Sequence, residues 1–157
     1  MTEDTPAIRA VGASGVSFRV VRTERASSAE ESAAFQGIDM SQLIRTIVVR
    51  RGAGDYVFVL VPGGRQIDWS LLRAHLGVSR LSLPDKDEAK EATGYERGTI
   101  TPFASATTWP VVADTTLADR DLVAIGAGAH GVNLHLAPAD LVRLLDADVA
   151  GVTRPAS

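Results

Sequence analysis

Arg45 stands inside an apolar, β-branched run, Leu43-Ile44-Arg45-Thr46-Ile47-Val48-Val49. On a strand it shares a face with Leu43, Ile47 and Val49, where an unpaired guanidinium is costly to remove from water. It must therefore meet an acid, reach the edge of a sheet, or line a pocket that takes an anionic or carbonyl-bearing ligand. Thr46 falls on the opposite face, where it serves as a β-former. A second segment, Gly98-Thr99-Ile100-Thr101-Pro102-Phe103, brackets three residues between a glycine and a proline. It is either an ordinary turn or a loop that presents backbone N–H groups to a carboxylate or a developing oxyanion.

A third segment, Gly126-Ala127-Gly128-Ala129-His130-Gly131, matches G-x-G-x-x-G letter for letter. A dinucleotide-binding loop has to open a helix whose N-terminus meets the pyrophosphate. Here Val132, Leu134 and Leu136 alternate with Asn133 and His135, so the loop joins two strands and its glycines supply positive φ or close approach. The histidines have no metal-ligand spacing: His75 falls in a predicted helix, His130 in the hairpin loop, and His135 alternates outward on a strand. With no cysteine, a disulfide, a thiolate nucleophile and a cysteine-ligated zinc are excluded. No nucleophile elbow is present. The carboxylates of Asp85, Asp87, Glu88 and Glu91 read as the solvated start of a helix.

These residues need elements to position them. Alternation at Val16, Phe18 and Val20 predicts a first strand, and Ser27-Ser28 ahead of Glu30-Glu31 predicts a capped helix running to Gly37. Residues 43–49 and 56–61 read as paired strands joined by a glycine-bearing loop over 50–55. Asp68 caps a helix closed by Gly77, residues 81–83 are extended, and Pro84-Asp85 opens a helix over 86–92 closed by Gly94. Strands follow over 109–113, 122–125 and 132–136, then a helix from Pro138 carrying Leu141, Val142, Leu144 and Leu145, and a strand over 149–152. The first dozen residues and residues 153–157 show no period and are expected to be loose. This irregular order predicts an α+β fold: a mixed, strongly curved sheet curling toward a partial barrel, flanked by short helices.

A length of 157 residues predicts one domain over 1–157, and 45% hydrophobic with 22% charged residues excludes global disorder. The longest apolar run, residues 57–61, falls far short of the roughly 18 a spanning helix needs, and residues 1–10 lack a signal-peptide layout. A cytoplasmic protein without a membrane partner is expected. The net charge of −3 argues against coating nucleic acid wholesale, so DNA is not an expected partner. Residues 43–97, with nine basic against seven acidic side chains, are the only basic stretch and allow a local phosphate contact.

In order and spacing, these segments resemble the YbaK family, free-standing relatives of the editing domain inserted in bacterial prolyl-tRNA synthetases. The resemblance spans residues 26–152. It runs through Ser28 to Gly37, the strand Ile44-Arg45-Thr46-Ile47-Val48-Val49, Thr93-Gly94-Tyr95 with Gly98-Thr99-Ile100-Thr101-Pro102-Phe103, and Gly126-Ala127-Gly128-Ala129-His130-Gly131 leading to Leu134, Leu136, Pro138 and Leu141. It implies a trans-acting aminoacyl-tRNA deacylase that cleaves the ester between a wrong amino acid and the terminal adenosine, without metal or organic cofactor. The implied partners are the acceptor end of mischarged tRNA and an aminoacyl-tRNA synthetase.

Arg45 stands where the family carries a lysine that binds and orients substrate. The resemblance also places the backbone of Gly98 and Thr99 beside the scissile ester, with Pro102 holding the loop rigid and attack coming from water or a group on the substrate. Thr46, Phe103 and Gly128 join the substrate-binding side, and His130 stands where the family has basic residues that can touch a phosphate or ribose. Two further readings stay open: a catalytically silent module that binds a small amino acid, an acceptor end or a synthetase, and a hydrolase of another small ester or amide.

Overall fold

Two β-branched runs set the centre of the fold in a computed structural model that describes residues 4–156. β2 (Leu43–Gly52) and β3 (Asp55–Pro62) pair antiparallel, from Ile44 opposite Pro62 to Gly52 opposite Asp55. The loop expected over 50–55 contracts to Ala53-Gly54, with Gly54 at φ 67°, a left-handed conformation that costs a glycine nothing. A register shift between Arg50 and Gly52 lets the strands run past their apolar stretch. β3 is buried on both faces from Tyr56 onward, which is why it reads as a continuous apolar run.

Around this hairpin lie β1 (Phe18–Arg22), β5 (Val111–Asp114), β6 (Val123–Gly126), β7 (Val132–Leu136) and β8 (Asp148–Ala150), in the order β1-β7-β6-β2-β3-β5-β8. β1–β7, β7–β6 and β2–β3 are antiparallel; β6–β2, β3–β5 and β5–β8 are parallel. The mixed sheet is as expected, but it stays open, with β1 and β8 as its two edges, and no barrel closure is found. A separate two-stranded sheet joins β4 (Arg65–Ile67) to β9 (Thr153–Pro155).

Among the described residues five α-helices flank the sheet. α2 (Ala29–Gln36), α3 (Trp69–Leu76) and α4 (Lys86–Thr93) are capped by the side chains of Ser28, Asp68 and Asp85 and end on Gly37, Gly77 and Gly94 with left-handed backbone. α5 (Pro138–Leu144) starts on its proline. On one face of the sheet Ile44, Val48, Phe58, Leu60, Ile125, Leu134 and Leu136 form a core with Leu141. On the other, Val49, Val57, Val59, Val61 and Val112 pack with Ile67, Leu72 and Val152. Leu72 is fully buried, and withdrawing such a side chain from water contributes about 1.5–3 kcal/mol.

Both chain ends depart from the expectation of looseness, within the described residues. α1 (Pro6–Ala13) is capped by Thr5 and buries Ala7, Ile8 and Val11 in the first core. β9 orders residues 153–155 against β4. α1 carries a Thr5 cap, a proline start and an apolar face at Ala7, Ile8 and Val11, signals the expectation of looseness passed over, whereas three residues of β9 are too few to show a period and tertiary contact decides there. Residues 1–3 and 157 lie outside the described part. Residues 81–83 form no strand beyond one bridge, Ser82 with Arg50. His135 does not point outward: it is buried, with Nε2 2.9 Å from Oε1 of Gln36, because α2 covers that face of β7. Glu88 is not merely solvated either, since it bonds the Tyr56 hydroxyl and lies 3.0 Å from Arg50 Nε. Together with the 2.8 Å bond from Trp109 Nε1 to the Ala92 carbonyl, this ties α4 to the sheet. Among the described residues no helix is long and apolar enough to cross a membrane.

Candidate active site

β2 and β6 pair over only two positions, Leu43 with Ala124 and Ile44 with Ile125. Beyond Ile44 a cleft of about 930 Å³ opens, with residues 45–48 on one wall and Gly126 and residues 129–133 on the other. Residues 98–100 border it from the connection after α4, while residues 23–29 and 83–86 form part of its lining. A parallel pair that stops this early leaves strand edges and side chains free to meet a ligand.

Arg45 lies on this cleft. Its Nη2 donates to the carbonyl of Arg65, and it makes no ion pair among the described residues. Burial lowers its pKa, yet a guanidinium stays protonated in proteins, so the cleft keeps a permanent cation. Its anchor is built from the far end of the chain. Arg65 Nε donates to Thr153 Oγ1 at 2.7 Å and stands 3.9 Å from the buried Asp114 carboxylate. Burial pushes Asp114 up, but bonds from the Thr116 hydroxyl and amide, the Val152 amide and the Thr153 hydroxyl outweigh it and hold the carboxyl below its ordinary value. Thr46, on the opposite face, also borders the cleft, and its buried Oγ1 has no hydrogen-bond partner among the described residues.

The loop over 98–103 is shaped from both ends. Gly94 ends α4, and the Tyr95 hydroxyl donates to the Phe103 carbonyl at 2.6 Å. The Thr99 amide and hydroxyl both donate to the Glu96 carbonyl, at 2.9 and 2.7 Å. Thr99 therefore cannot offer its N–H to a substrate while this turn persists, contrary to the arrangement expected from sequence. The amides of Gly98 and Ile100 on either side of it donate to nothing among the described residues. Gly98 takes φ 90°, and a Cβ there would lie 3.2 Å from Cε1 of His130.

Of the residues the sequence singled out, Arg45, Thr46, Gly98, Thr99 and His130 line the cleft. Pro102 and Phe103 instead border a second cavity of about 320 Å³ with Trp109, Leu144 and Leu145. Gly128 is turned under the Tyr95 ring, whose Cε1 would be 2.6 Å from a Cβ at that position. His75 pairs with Asp148 at 2.6 Å, joining α3 to β8. No cluster of three metal-ligating side chains occurs among the described residues.

Sequence reasoning missed Arg25, Lys86 and Arg97, which reach the cleft from the β1–α2 connection, the start of α4 and the α4–β5 connection and have no ion partner among the described residues. With Arg45 they set four cations against the carboxylates of Glu24 and Asp85. It also missed Asn133, whose polar type on the far face of β7 was its one signal.

The profile of a family described as aminoacyl-tRNA editing domain matches residues 23–144. A proposed Cys-tRNA(Pro)/Cys-tRNA(Cys) deacylase, EbsC of Enterococcus faecalis, is 24% identical over 126 residues, covering 80% of this chain and 77% of that protein. A proline–tRNA ligase of Geobacter is 31% identical over 114 residues, or 73% of this chain, which spans about 20% of the ligase. A crystal structure of a hypothetical protein superposes with a TM-score of 0.87 at 26% identity, covering 96% of this chain and 100% of that one. One of a proposed trans-editing enzyme for prolyl-tRNA synthetase also gives 0.87, at 23% identity with 98% and 99% coverage, and supports the fold.

Proposed function

Because the chain belongs to the aminoacyl-tRNA editing domain family, we propose that it is a trans-acting deacylase, one editing domain that hydrolyses the ester of a mischarged tRNA entering the β2–β6 cleft by its acceptor end. The observation that carries this reading is the donor-only lining of one part of the cleft. Arg45 and the free amides of Gly98 and Ile100 can meet only acceptors, and an ester carbonyl, its tetrahedral oxyanion and a phosphate are all acceptors. The unpaired Arg25, Lys86 and Arg97 suit the phosphates of the incoming strand. His130 stands against Gly98 on the cleft, where its ring can meet a ribose or phosphate of the substrate.

Chemically, water adds to the ester carbonyl and the charge on its oxygen falls to the Gly98 and Ile100 amides, with Arg45 holding the substrate. The carbon–oxygen bond to the ribose then breaks, the ribose oxygen takes a proton, and a free amino acid and uncharged tRNA leave. No side-chain nucleophile is needed. A family relative named for tRNA deacylation supports the reaction class, and the editing domain's presence in proline–tRNA ligases supports a synthetase as a working partner.

Single-turnover deacylation of Ala-, Cys- and Ser-tRNA for proline and Ser-tRNA for alanine, with wild type, Arg45→Lys and Arg45→Ala, tests this. Release by wild type that Arg45→Ala loses identifies a working arginine site. One observation favours the alternative of a silent binding module: Arg45 replaces the family lysine and its guanidinium is tied to the Arg65 carbonyl. Release only by Arg45→Lys would establish that alternative.

A further inference from the structure

Arg45 is exposed on the cleft, yet its guanidinium does not swing free. Nη2 donates to the Arg65 carbonyl, while Nε and Nη1 make no hydrogen bond among the described residues. A long, exposed arginine otherwise samples many rotamers, and ordering it at the moment of binding works against affinity. The bond to Arg65 removes that freedom beforehand and leaves the other donors of the planar fork for a ligand.

The register of β4 on β9 is what makes that carbonyl available. The Ala156 amide donates to the Gly64 carbonyl at 3.0 Å, and the Asp68 amide donates to the Val152 carbonyl at 2.8 Å. Bonded pairs alternate along an antiparallel ladder, so Gln66 with Arg154 is the next bonded pair, and Arg65 opposite Pro155 is not bonded across the sheet. Pro155 has no N–H and suits only such a position, so a slip of one residue would leave a ladder acceptor unfilled. The Arg65 carbonyl therefore points away from β9. No second strand lies beside β4 among the described residues, and a side chain, Arg45, fills the place of a ladder amide. The Arg65 side chain locks this arrangement from the other direction: Nε donates to Thr153 Oγ1 at 2.7 Å and Nη2 to the Thr153 carbonyl at 3.3 Å, with the buried Asp114 carboxylate 3.9 Å from Nε. Two strands of three residues are marginal alone, and the lock is what steadies them.

We propose that Arg65 and Thr153 are positioning residues: they hold the β4 carbonyl that orients the Arg45 guanidinium toward the acylated end of the substrate, and they act on the substrate only through Arg45. This rests on the deacylase reading, and binding separates the two. Titration calorimetry would use non-hydrolysable 3′-amide-linked alanyl, cysteinyl and seryl adenosines against wild type, Thr153→Val, Thr153→Ser and Arg65→Met, each also combined with Arg45→Ala. Thr153→Val keeps the shape and loses the acceptor, and Arg65→Met keeps the carbonyl and loses its lock. Each should weaken the tightest analogue about three- to tenfold, the effect of ordering one long side chain on binding. Thr153→Ser, which keeps the oxygen, should bind like wild type. Combined with Arg45→Ala, the same changes should add less than about twofold, because nothing is left to position. Nitrogen NMR of the arginine side chains reads the same device without ligand. The Arg45 Nη signals, assigned by their loss in Arg45→Ala, should be resolved in wild type and Thr153→Ser and averaged by rotation in Thr153→Val and Arg65→Met. Thermal melts verify that the variants fold.

Equal losses with and without Arg45, which a merely structural role would give, overturn the proposal. So do Arg45 signals already averaged in wild type or still resolved in both Thr153→Val and Arg65→Met, and so does no binding of any analogue. If the dependence on Arg45 appears but charged tRNA is not hydrolysed, Arg65 and Thr153 keep their role and the deacylase reading alone fails.

Discussion

Gly98 and His130 meet closely: a β-carbon at Gly98 would stand 3.2 Å from His130 Cε1, so the ring would have to give by a few tenths of an ångström. The loop after α4 and the β6–β7 hairpin are thereby held in contact at the cleft. Gly98→Ala should displace the ring and strain the backbone at φ 90°, costing about 1–3 kcal/mol and at least tenfold in deacylation. His130→Ala in the same chain removes the clash and should return part of the stability but not the part due to backbone strain. Wild-type melting and turnover in Gly98→Ala would contradict this contact.

The Tyr95 ring fills the space a side chain at residue 128 would need, at 2.6 Å from a built Cβ. Gly128→Ala should therefore destabilise the fold by about 2 kcal/mol or more, through both overlap and its φ of 90°. Tyr95→Phe keeps the ring and loses only the bond to the Phe103 carbonyl, so urea unfolding should report a smaller loss of about 1 kcal/mol. The reverse ranking would show that the hydroxyl, not the close approach, holds the two loops together.

Arg25, Lys86 and Arg97 should act on affinity rather than chemistry. Replacing all three by serine is expected to raise KM for charged tRNA while single-turnover kcat stays within about twofold. The slope of log affinity against log salt should fall by about 2, near 0.7 for each lost contact to a single strand. An unchanged slope would place the tRNA elsewhere.

Stability should fall with acid in two separate windows. Burial, helped by nearby Arg19, lowers the pKa of His135 below 6.5, so the folded chain favours the neutral ring while the unfolded one takes a proton. Stability is then complete above about pH 6.5 and declines as pH drops from there toward the folded value. Asp114 is held below 3.8 by its hydrogen bonds despite burial, so its contribution is present above that pH and is lost as pH falls through its folded value. Urea unfolding across pH should show His135→Gln flattening the first decline and Asp114→Asn the second. Asp114→Asn should also cost about 2 kcal/mol at neutral pH, since it sets an NH₂ among donors. Variants that track wild type across both windows would remove these two groups as the cause.

Period and capping made most of the elements legible. The β2–β3 pair, α2 to α4 with their glycine stops, α5 with its proline start and the β6–β7 hairpin all follow from alternation, cap residues and turn chemistry. What escaped was decided mostly by contacts distant in sequence. β9 is too short to carry a period, the cap and apolar face of α1 were passed over beside its small and polar neighbours, and His135 alternates with leucines like an outward residue until α2 is laid over it. In the site, Arg45 announced itself as a charge in an apolar run, and the glycines of both loops by composition. The engagement of the Thr99 amide with Glu96, the placement of Pro102 and Phe103 behind the loop and the position of Asn133 depend on how separate segments close on one another. No single stretch of sequence encodes those.

The two-stranded β4–β9 sheet has a temporal consequence. Arg45 rests on a carbonyl of β4, and among the described residues β4 pairs only with residues 153–155. On a ribosome, a chain that has exposed both walls of the cleft still lacks the strand that fixes its central cation. The site is thus completed only once residues 153–155 have emerged, and a chain lacking β9 would retain every residue of the cleft with its arginine unmoored.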